Sequence, residues 1–294
     1  MGLKLHGRPG HTFGRPLRPT LHPEPCSTKP VILFVVIQYV WAMRMSKSAV
    51  QKLGKRLEVP GEAPEEALMQ LEELLIDYSE LLTAARGVID ELCDTLDWPL
   101  SVTHRLKTTD TLVQKLQRAK ARGDSTNLAR IQDIAGIRLS GNITLIEQDQ
   151  LRDWIIERFE GQGHKCSVRD RRTDPMVGYR AVHVIVSIEG RYVEIQVRTL
   201  SQDLWANVFE RIADIFGRGI RYGEPPDSGG EAVGNIIRMM EGFSARLYEV
   251  ERLAYTDDAK RDGREATLEA QRPLLAQLRE MLRTTEDITG RLST

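Results

Sequence analysis

Cysteine is scarce in this sequence, and long apolar runs are absent. The 294 residues include three cysteines, Cys26, Cys93 and Cys166, which lie far apart and form no Cys-x-x-Cys pair. Such a sparse, odd set excludes a disulfide framework and a cysteine-based zinc site, and it favours a reducing compartment. No apolar run reaches the roughly 18 residues that a membrane span needs. We therefore expect a cytoplasmic protein with no stable membrane association.

Charge is balanced over the whole chain but not along it. Lys and Arg total 41 and Asp and Glu total 42, for a formal net charge of -1, and 41% of the residues are hydrophobic. This composition is typical of a soluble globular protein. Residues 1–48 differ from the rest, because they hold seven Lys or Arg and one acidic residue, Glu24.

The first 48 residues end in a run of thirteen mostly apolar residues, 31–43. The leader before this run is too long for a signal peptide, and no small-residue cleavage site follows it. A short membrane anchor is the alternative. We favour a coding start placed too far upstream, with translation from Met43 or Met45, so that residues 1–48 are a non-native extension or a disordered leader.

Hydrophobic periodicity predicts mixed helices and strands from residue 64 onwards. The predicted helices are 64–96, 109–121, 144–159 and 201–216, and the predicted strands are 136–140, 165–169, 181–188 and 192–198. Residues 128–134 predict a short turn or helix, 217–230 a Gly- and Pro-rich loop, and 231–293 two or more helices with a break around Pro273. This order predicts an α/β (α+β) domain with helical flanks.

Glu189-Gly190 predicts a two-residue hairpin turn between two of these strands. Residues whose numbers sum to 379 then face each other, so His183 lies opposite Gln196 and Ile185 opposite Glu194. His183, Glu194, Gln196 and Arg198 share one face of the hairpin, and the other face is apolar. A face open to water is the ordinary explanation for such a polar side.

Basic residues are concentrated between Arg105 and Arg138. On the predicted helix 109–121, Lys115, Arg118 and Arg122 recur at steps of three and four and therefore share one face. Such a stripe suits a polyphosphate or a nucleic-acid backbone. A solvated basic helix face is the alternative.

The order of several motifs resembles the RelA/SpoT-type (p)ppGpp synthetase domain over about residues 100–210. The motifs are Arg105-x-Lys107, Asp133-Ile-Ala-Gly-Ile-Arg138, Gly178-Tyr-Arg-Ala-Val-His183, Glu194-Ile-Gln-Val-Arg-Thr199 and Trp205-Ala206. No His-Asp dipeptide occurs, so the metal-dependent hydrolase half of the long members is absent. The chain therefore resembles a small alarmone synthetase, with 49–99 as an N-terminal helical region, 100–222 as the synthetase domain and 223–294 as a C-terminal helical region.

The resemblance implies a nucleotidyltransferase-like mixed β-sheet flanked by helices, and an enzyme that moves pyrophosphate from ATP to the 3′-hydroxyl of GDP or GTP. It assigns ATP binding to Arg105, Lys107, Lys115, Arg118 and Arg138. It assigns catalysis and Mg²⁺ binding to Asp133 and Glu194. It assigns acceptor binding to Tyr179, His183, Gln196 and Arg198, with Tyr179 stacking on guanine. A homotetramer is common among small members.

Four positions depart from the family's pattern on the acceptor side. Pro175 and Val177 stand where many members have Lys and Asn or Ser, and Phe209 and Glu210 stand where many have Glu and His. The Arg171-Arg172 pair is a candidate substitute for the missing Lys. Two alternatives remain open at this point: a toxin-type relative that pyrophosphorylates the 3′ end of tRNA, and a catalytically silent domain that binds nucleotide or RNA.

Overall fold

The computed structural model describes residues 45–257, apart from residues 97 and 125, and residues 262–292. The apolar run 31–43 and almost all of the predicted leader lie outside the described residues. No helix in the described part of the chain combines the length and the apolar character that crossing a bilayer requires.

The described residues form seven α-helices and five β-strands. The helices are α1 (Lys47–Leu57), α2 (Glu65–Asp94), α3 (Thr109–Ala121), α4 (Leu145–Gly161), α5 (Leu200–Phe216), α6 (Gly230–Asp257) and α7 (Asp262–Leu292). The strands are β1 (Leu100–Leu106), β2 (Ala135–Gly141), β3 (Lys165–Asp170), β4 (Val182–Ile188) and β5 (Arg191–Thr199). Short 3₁₀ helices cover Leu128–Arg130 and Arg218–Tyr222.

The five strands form one mixed sheet in the order β1-β2-β5-β4-β3. β2 and β5 run parallel, while β1–β2, β4–β5 and β3–β4 pair antiparallel. Helices α2 and α4 pack against this sheet. The predicted fold class, a mixed sheet flanked by helices with helical extensions, is confirmed.

The hairpin register predicted from Glu189-Gly190 is also confirmed, because His183 pairs with Gln196 and Ile185 with Glu194. Glu189 and Gly190 have φ angles of 50° and 79°. Two consecutive positive φ values are the geometry that a tight hairpin turn needs to match the twist of its strands.

The polar face of the hairpin is covered, so the expectation of a water-facing sheet is wrong. Arg198 is 1% exposed and Glu194 is 8% exposed. Helix α5 lies over this face, and its Asp203 forms an ion pair of 3.1 Å with Arg198 Nη1. Periodicity alone did not reveal that a helix from later in the chain covers the polar face of the hairpin.

The predicted break at Pro273 is wrong, because α7 continues through this residue. Proline removes one backbone hydrogen bond inside a helix. Gln271, Leu275 and Leu278 flank it and are buried, and this packing offsets the missing bond. The two predicted C-terminal helices are instead α6, which ends at Asp257, and α7, which begins at Asp262.

Candidate active site

Three adjoining cavities open on the polar side of the sheet, and Arg105, Asp133 and Glu210 line all three. The aromatic cavity, of about 270 Å³, is lined by Met176, Tyr179, Trp205, Phe209 and Tyr222, among others. The basic cavity, of about 360 Å³, is lined by Lys107, Lys115, Arg118, Arg218 and Arg221, among others. The strand cavity, of about 250 Å³, is lined by His104, Ile137, Arg138, Glu194 and Gln196, among others.

Asp133 lies just before β2 and is held by two lysines. Its Oδ2 accepts a hydrogen bond of 2.8 Å from Lys107 Nζ, and its Oδ1 accepts one of 2.8 Å from Lys115 Nζ. Burial by itself would raise the pKa of Asp133, but the two ammonium groups outweigh it and lower the pKa to about 2. Asp133 is therefore a fixed negative charge at neutral pH.

Glu194 is the second carboxylate of the site, and β5 directs it into the aromatic and strand cavities. His183 Nδ1 lies 3.0 Å from its Oε1, and Gln196 Nε2 donates a hydrogen bond of 2.7 Å to its Oε2. Burial favours a raised pKa, but these two contacts prevail and the pKa of Glu194 is lowered. The parallel β2–β5 pairing, with Gly136 opposite Glu194, brings it near Asp133.

The four residues expected on the acceptor side form one hydrogen-bonded network. The Tyr179 hydroxyl lies 2.9 Å from His183 Nε2 and accepts a bond of 3.0 Å from Arg198 Nη2. Arg198 Nη2 also donates to Gln196 Oε1 at 2.8 Å. The Arg198 guanidinium lies 5.1 Å from the centre of the Tyr179 ring. The network therefore fixes the phenol at its hydroxyl end while the ring lines the aromatic cavity.

The four cations expected to bind ATP phosphates, Arg105, Lys107, Lys115 and Arg118, all line the basic cavity. Sequence reasoning missed two further cations there, Arg218 and Arg221. Both pair with Asp214 Oδ1 at 3.3 Å. Their positive charge was the available signal, but both arginines lie in the segment 217–230, which was interpreted only as a loop rich in Gly and Pro.

Arg138 does not line the basic cavity; it lines the strand cavity, together with Arg105. It donates to Asn207 Oδ1 at 3.2 Å and to Glu210 Oε1 at 3.3 Å, both on α5. Glu210 was not predicted as a site residue, and it lies 72 residues after Arg138 in the sequence. No local pattern could have revealed that contact.

The family departures have different structural consequences. Phe209 is buried and stacks on Trp205, with ring centres 4.9 Å apart, so this position offers no polar group to a ligand. Arg172 is buried between Asp149 and Asp170, at 2.7 and 2.6 Å, and is unavailable to a substrate. Arg171 lines the aromatic cavity, so of the proposed substitute pair it is the residue that reaches the site.

Comparison with protein families finds one match within this chain. Residues 104–214 match the family described as "Region found in RelA / SpoT proteins". This stretch includes the end of β1, all of β2 and β5 and most of α5, and it contains both Asp133 and Glu194. It also covers every sequence-predicted site residue.

Curated relatives include "Uncharacterized protein Rv1366" of Mycobacterium tuberculosis and "Uncharacterized protein Mb1401" of Mycobacterium bovis. Each is 37% identical over 188 residues, which cover 62% of this chain. The match spans 64% of the length of these relatives.

Solved structures with a similar arrangement include small alarmone synthetase 1 from Bacillus subtilis bound to its product pppGpp. It is 22% identical, with a TM-score of 0.47, over 65% of this chain and 100% of that one. A GTP pyrophosphokinase family protein from Streptococcus pneumoniae is 24% identical, with a TM-score of 0.47, over 68% of this chain and 97% of that one. The resemblance that the motifs indicated is confirmed over residues 104–214, which match the model of the region found in RelA and SpoT proteins.

Proposed function

We propose that this protein transfers pyrophosphate from ATP to the 3′-hydroxyl of GDP or GTP and releases AMP. The observation that carries the proposal is the position of Asp133 and Glu194. Both are ionised carboxylates that line the aromatic and strand cavities, and Asp133 also lines the basic cavity. ATP with its phosphates in the basic cavity and a guanosine nucleotide with its nucleobase in the aromatic cavity would bring their reacting atoms to these two carboxylates.

The basic cavity suits the triphosphate of the donor. Six cationic side chains line it against three acidic ones, Asp133, Glu210 and Asp214. Charge-assisted hydrogen bonds from Lys and Arg are the strongest that a phosphate can accept without a metal. Lys107 and Lys115 meet at Asp133, so they would hold the phosphates next to the carboxylate.

Asp133 and Glu194 also fit a magnesium ion by the chemistry of their oxygens. Mg²⁺ prefers one or two carboxylates, with phosphate oxygens and water completing its shell. Each carboxylate oxygen here has one nitrogen partner, from Lys107, Lys115, His183 or Gln196, and retains a second lone pair. Among the described residues no group of three or more His, Cys, Asp or Glu could hold a metal ion by itself. When bound, Mg²⁺ would neutralise charge on the phosphates.

In the aromatic cavity, the Tyr179 ring offers a stacking surface for the acceptor base. The 3′-oxygen of the acceptor would attack the β-phosphorus of ATP, breaking the bond to the α–β bridging oxygen, which leaves with AMP. Glu194 would take the hydroxyl proton as general base. His183 and Gln196 hold its carboxylate in place, and the cations of the basic cavity balance charge on the transferred group.

A tRNA 3′ end is the second candidate acceptor. The observation that favours it is the rim of the aromatic cavity, where Arg169 and Arg171 follow one another near the end of the edge strand β3. Arg169 is exposed, and guanidinium groups at an open edge suit a polynucleotide backbone.

The acceptor can be identified with the full-length chain, ATP labelled at the γ-phosphate, Mg²⁺, and GDP, GTP or bulk tRNA offered separately. We expect label on GDP or GTP. Label on tRNA alone would replace the guanosine nucleotides by the second candidate. No transfer to any of the three would contradict the proposal and favour a nucleotide- or RNA-binding domain without catalysis.

A further inference from the structure

The residues on both sides of Tyr179, Gly178 through its backbone and Arg180 through its side chain, are tied to one side chain of α6. Ser244 Oγ donates a hydrogen bond to the carbonyl oxygen of Gly178. The same Oγ accepts a hydrogen bond of 3.1 Å from Arg180 Nε. Ser244 is 3% exposed, so water does not compete for these bonds. One buried hydroxyl thus anchors the residues before and after the acceptor tyrosine.

The turn that precedes Tyr179 needs such an anchor. Val177 has a φ of 50° and Gly178 a φ of 83°. A β-branched residue in the left-handed region is rare, because its side chain crowds the backbone there. Strained turns persist where surrounding contacts over-determine them.

The turn is also pressed directly against α6. A Cβ at Gly178 would lie 2.8 Å from Trp205 Cζ2 and 3.2 Å from Glu241 Cα. Trp205 Nε1 donates a bond of 2.8 Å to the carbonyl oxygen of Met240, which fixes the indole against the same helix. Gly178 therefore permits a close approach that a larger residue would block.

A further contact lies one helical turn beyond Ser244. The Arg180 guanidinium lies 4.4 Å from the centre of the Tyr248 ring, a distance at which a cation is attracted to an aromatic face. Met240, Ser244 and Tyr248 are spaced by four residues, so they share one face of α6. That face contacts the turn on both sides of Tyr179.

We infer that Ser244 is a positioning residue for the acceptor, and that α6 sets the place of the Tyr179 ring in the aromatic cavity. The inference rests on the proposed function. The hydroxyl of Tyr179 is held from the sheet by Arg198 and His183, and its backbone is held from α6 by Ser244. Loss of the second anchor leaves the ring attached at one end, which lowers its stacking on a base without altering the basic cavity.

The test compares Ser244→Ala with Ser201→Ala in the full-length protein. Ser201 is also buried, and its Oγ donates a bond of 3.1 Å to Gln271 Oε1, joining α5 to α7 away from Tyr179. Both variants lose one buried serine hydroxyl, so Ser201→Ala controls for a general loss of stability. We expect Ser244→Ala to raise KM for GDP or GTP about 5- to 10-fold, the equivalent of one or two hydrogen bonds, and to leave KM for ATP within about twofold. Ser201→Ala should change neither.

A second variant keeps the Ser244 hydroxyl and removes the aromatic ring of α6 that faces Arg180. Tyr248→Leu should raise the acceptor KM about 2- to 5-fold, since it removes the cation–π contact with Arg180 and leaves the Ser244 hydroxyl in place. This variant carries the test if Ser244→Ala does not fold. Binding of GDP measured by calorimetry should weaken by the same factors, independently of turnover.

The outcomes distinguish failure of the positioning role of Ser244 from failure of the proposed function. If the wild type is active but Ser244→Ala behaves like Ser201→Ala, or raises both substrate KM values equally, the positioning role is overturned and the proposed function stands. A wild-type protein that transfers nothing and binds no GDP overturns the proposed function, and this inference with it.

Discussion

His183 Nδ1 lies 3.0 Å from Glu194 Oε1 across the β4–β5 hairpin, although Glu194 is two residues along β5 from the position directly opposite His183. Gln196, the direct partner of His183, donates to the other oxygen of the same carboxylate. The hairpin register therefore fixes both oxygens of Glu194. A two-residue turn at Glu189-Gly190 thus determines the orientation of the proposed general base.

Glu194→Gln should reduce transfer at least about 100-fold, because the amide keeps the volume but cannot accept the hydroxyl proton. ATP binding should change little, since the cations of the basic cavity remain. Product formation and ATP binding by calorimetry check the two parts separately. Glu72→Gln, at an exposed position on α2, is the matched control. Equal turnover in both variants would remove Glu194 from the mechanism.

Tyr179→Ala should weaken the acceptor about 5- to 100-fold, the range expected for loss of one base–aromatic stack. KM for ATP should stay within about twofold, because the ring lines the aromatic cavity and not the basic one. Steady-state kinetics with each substrate varied in turn provides the measurement. A similar loss for both substrates would show that Tyr179 supports the fold of the site as a whole.

Lys115→Ala should raise KM for ATP about 10-fold, because Lys115 lines the basic cavity and contacts Asp133. Lys120 on the same helix is the control. It pairs with Glu58 at 3.1 Å, outside the basic cavity. Lys120→Ala should leave KM for ATP within about twofold, and an equal effect of the two substitutions would indicate a general role of helix charge.

Glu251→Gln should stabilise the protein at neutral and alkaline pH. Glu251 is buried on α6, where Thr199 Oγ1 and Gln202 Nε2 donate to its carboxylate. Burial raises its pKa, although Arg180 and Arg172 lie near enough to lower it in part. A folded-state pKa above the unfolded value means that the folded state binds the extra proton, so stability falls as pH rises towards the folded pKa.

Urea unfolding at several pH values between 5 and 8 measures this effect. The advantage of Glu251→Gln over the wild type in free energy of unfolding should grow as pH rises through this range. Glu249→Gln, at an exposed position on the same helix, should follow the wild type at every pH. An advantage of Glu251→Gln that shrinks as pH rises would contradict a raised pKa.

Much of the fold could be predicted because it depends on local rules. The helix predicted over about 109–121 is Thr109–Ala121 in the structure, where Thr108 caps its first turn and Gly123 follows its end. The β4–β5 register followed from the turn alone. The break at Pro273 was predicted wrongly, because the local rule for proline cannot include the packing of Leu275 and Leu278 on other helices.

The candidate site was predictable in its parts but not in its connections. The motif order indicated the two carboxylates and the main cations. The contacts that shape the site join distant residues, such as Lys107 with Asp133 and Arg138 with Glu210. The role of α6 beside Tyr179 had no sequence signal, because Ser244 belongs to no motif and its partner is a backbone carbonyl.

The most direct measurement of the central claim is AMP release by the full-length protein with ATP and Mg²⁺, with and without GDP or GTP, in the wild type and in Glu194→Gln. The account predicts AMP in equal amount to a guanosine product that carries two additional phosphates, dependent on the acceptor and lost in Glu194→Gln. Release of ADP or free phosphate, or a product of equal yield in both proteins, would contradict pyrophosphate transfer at Glu194.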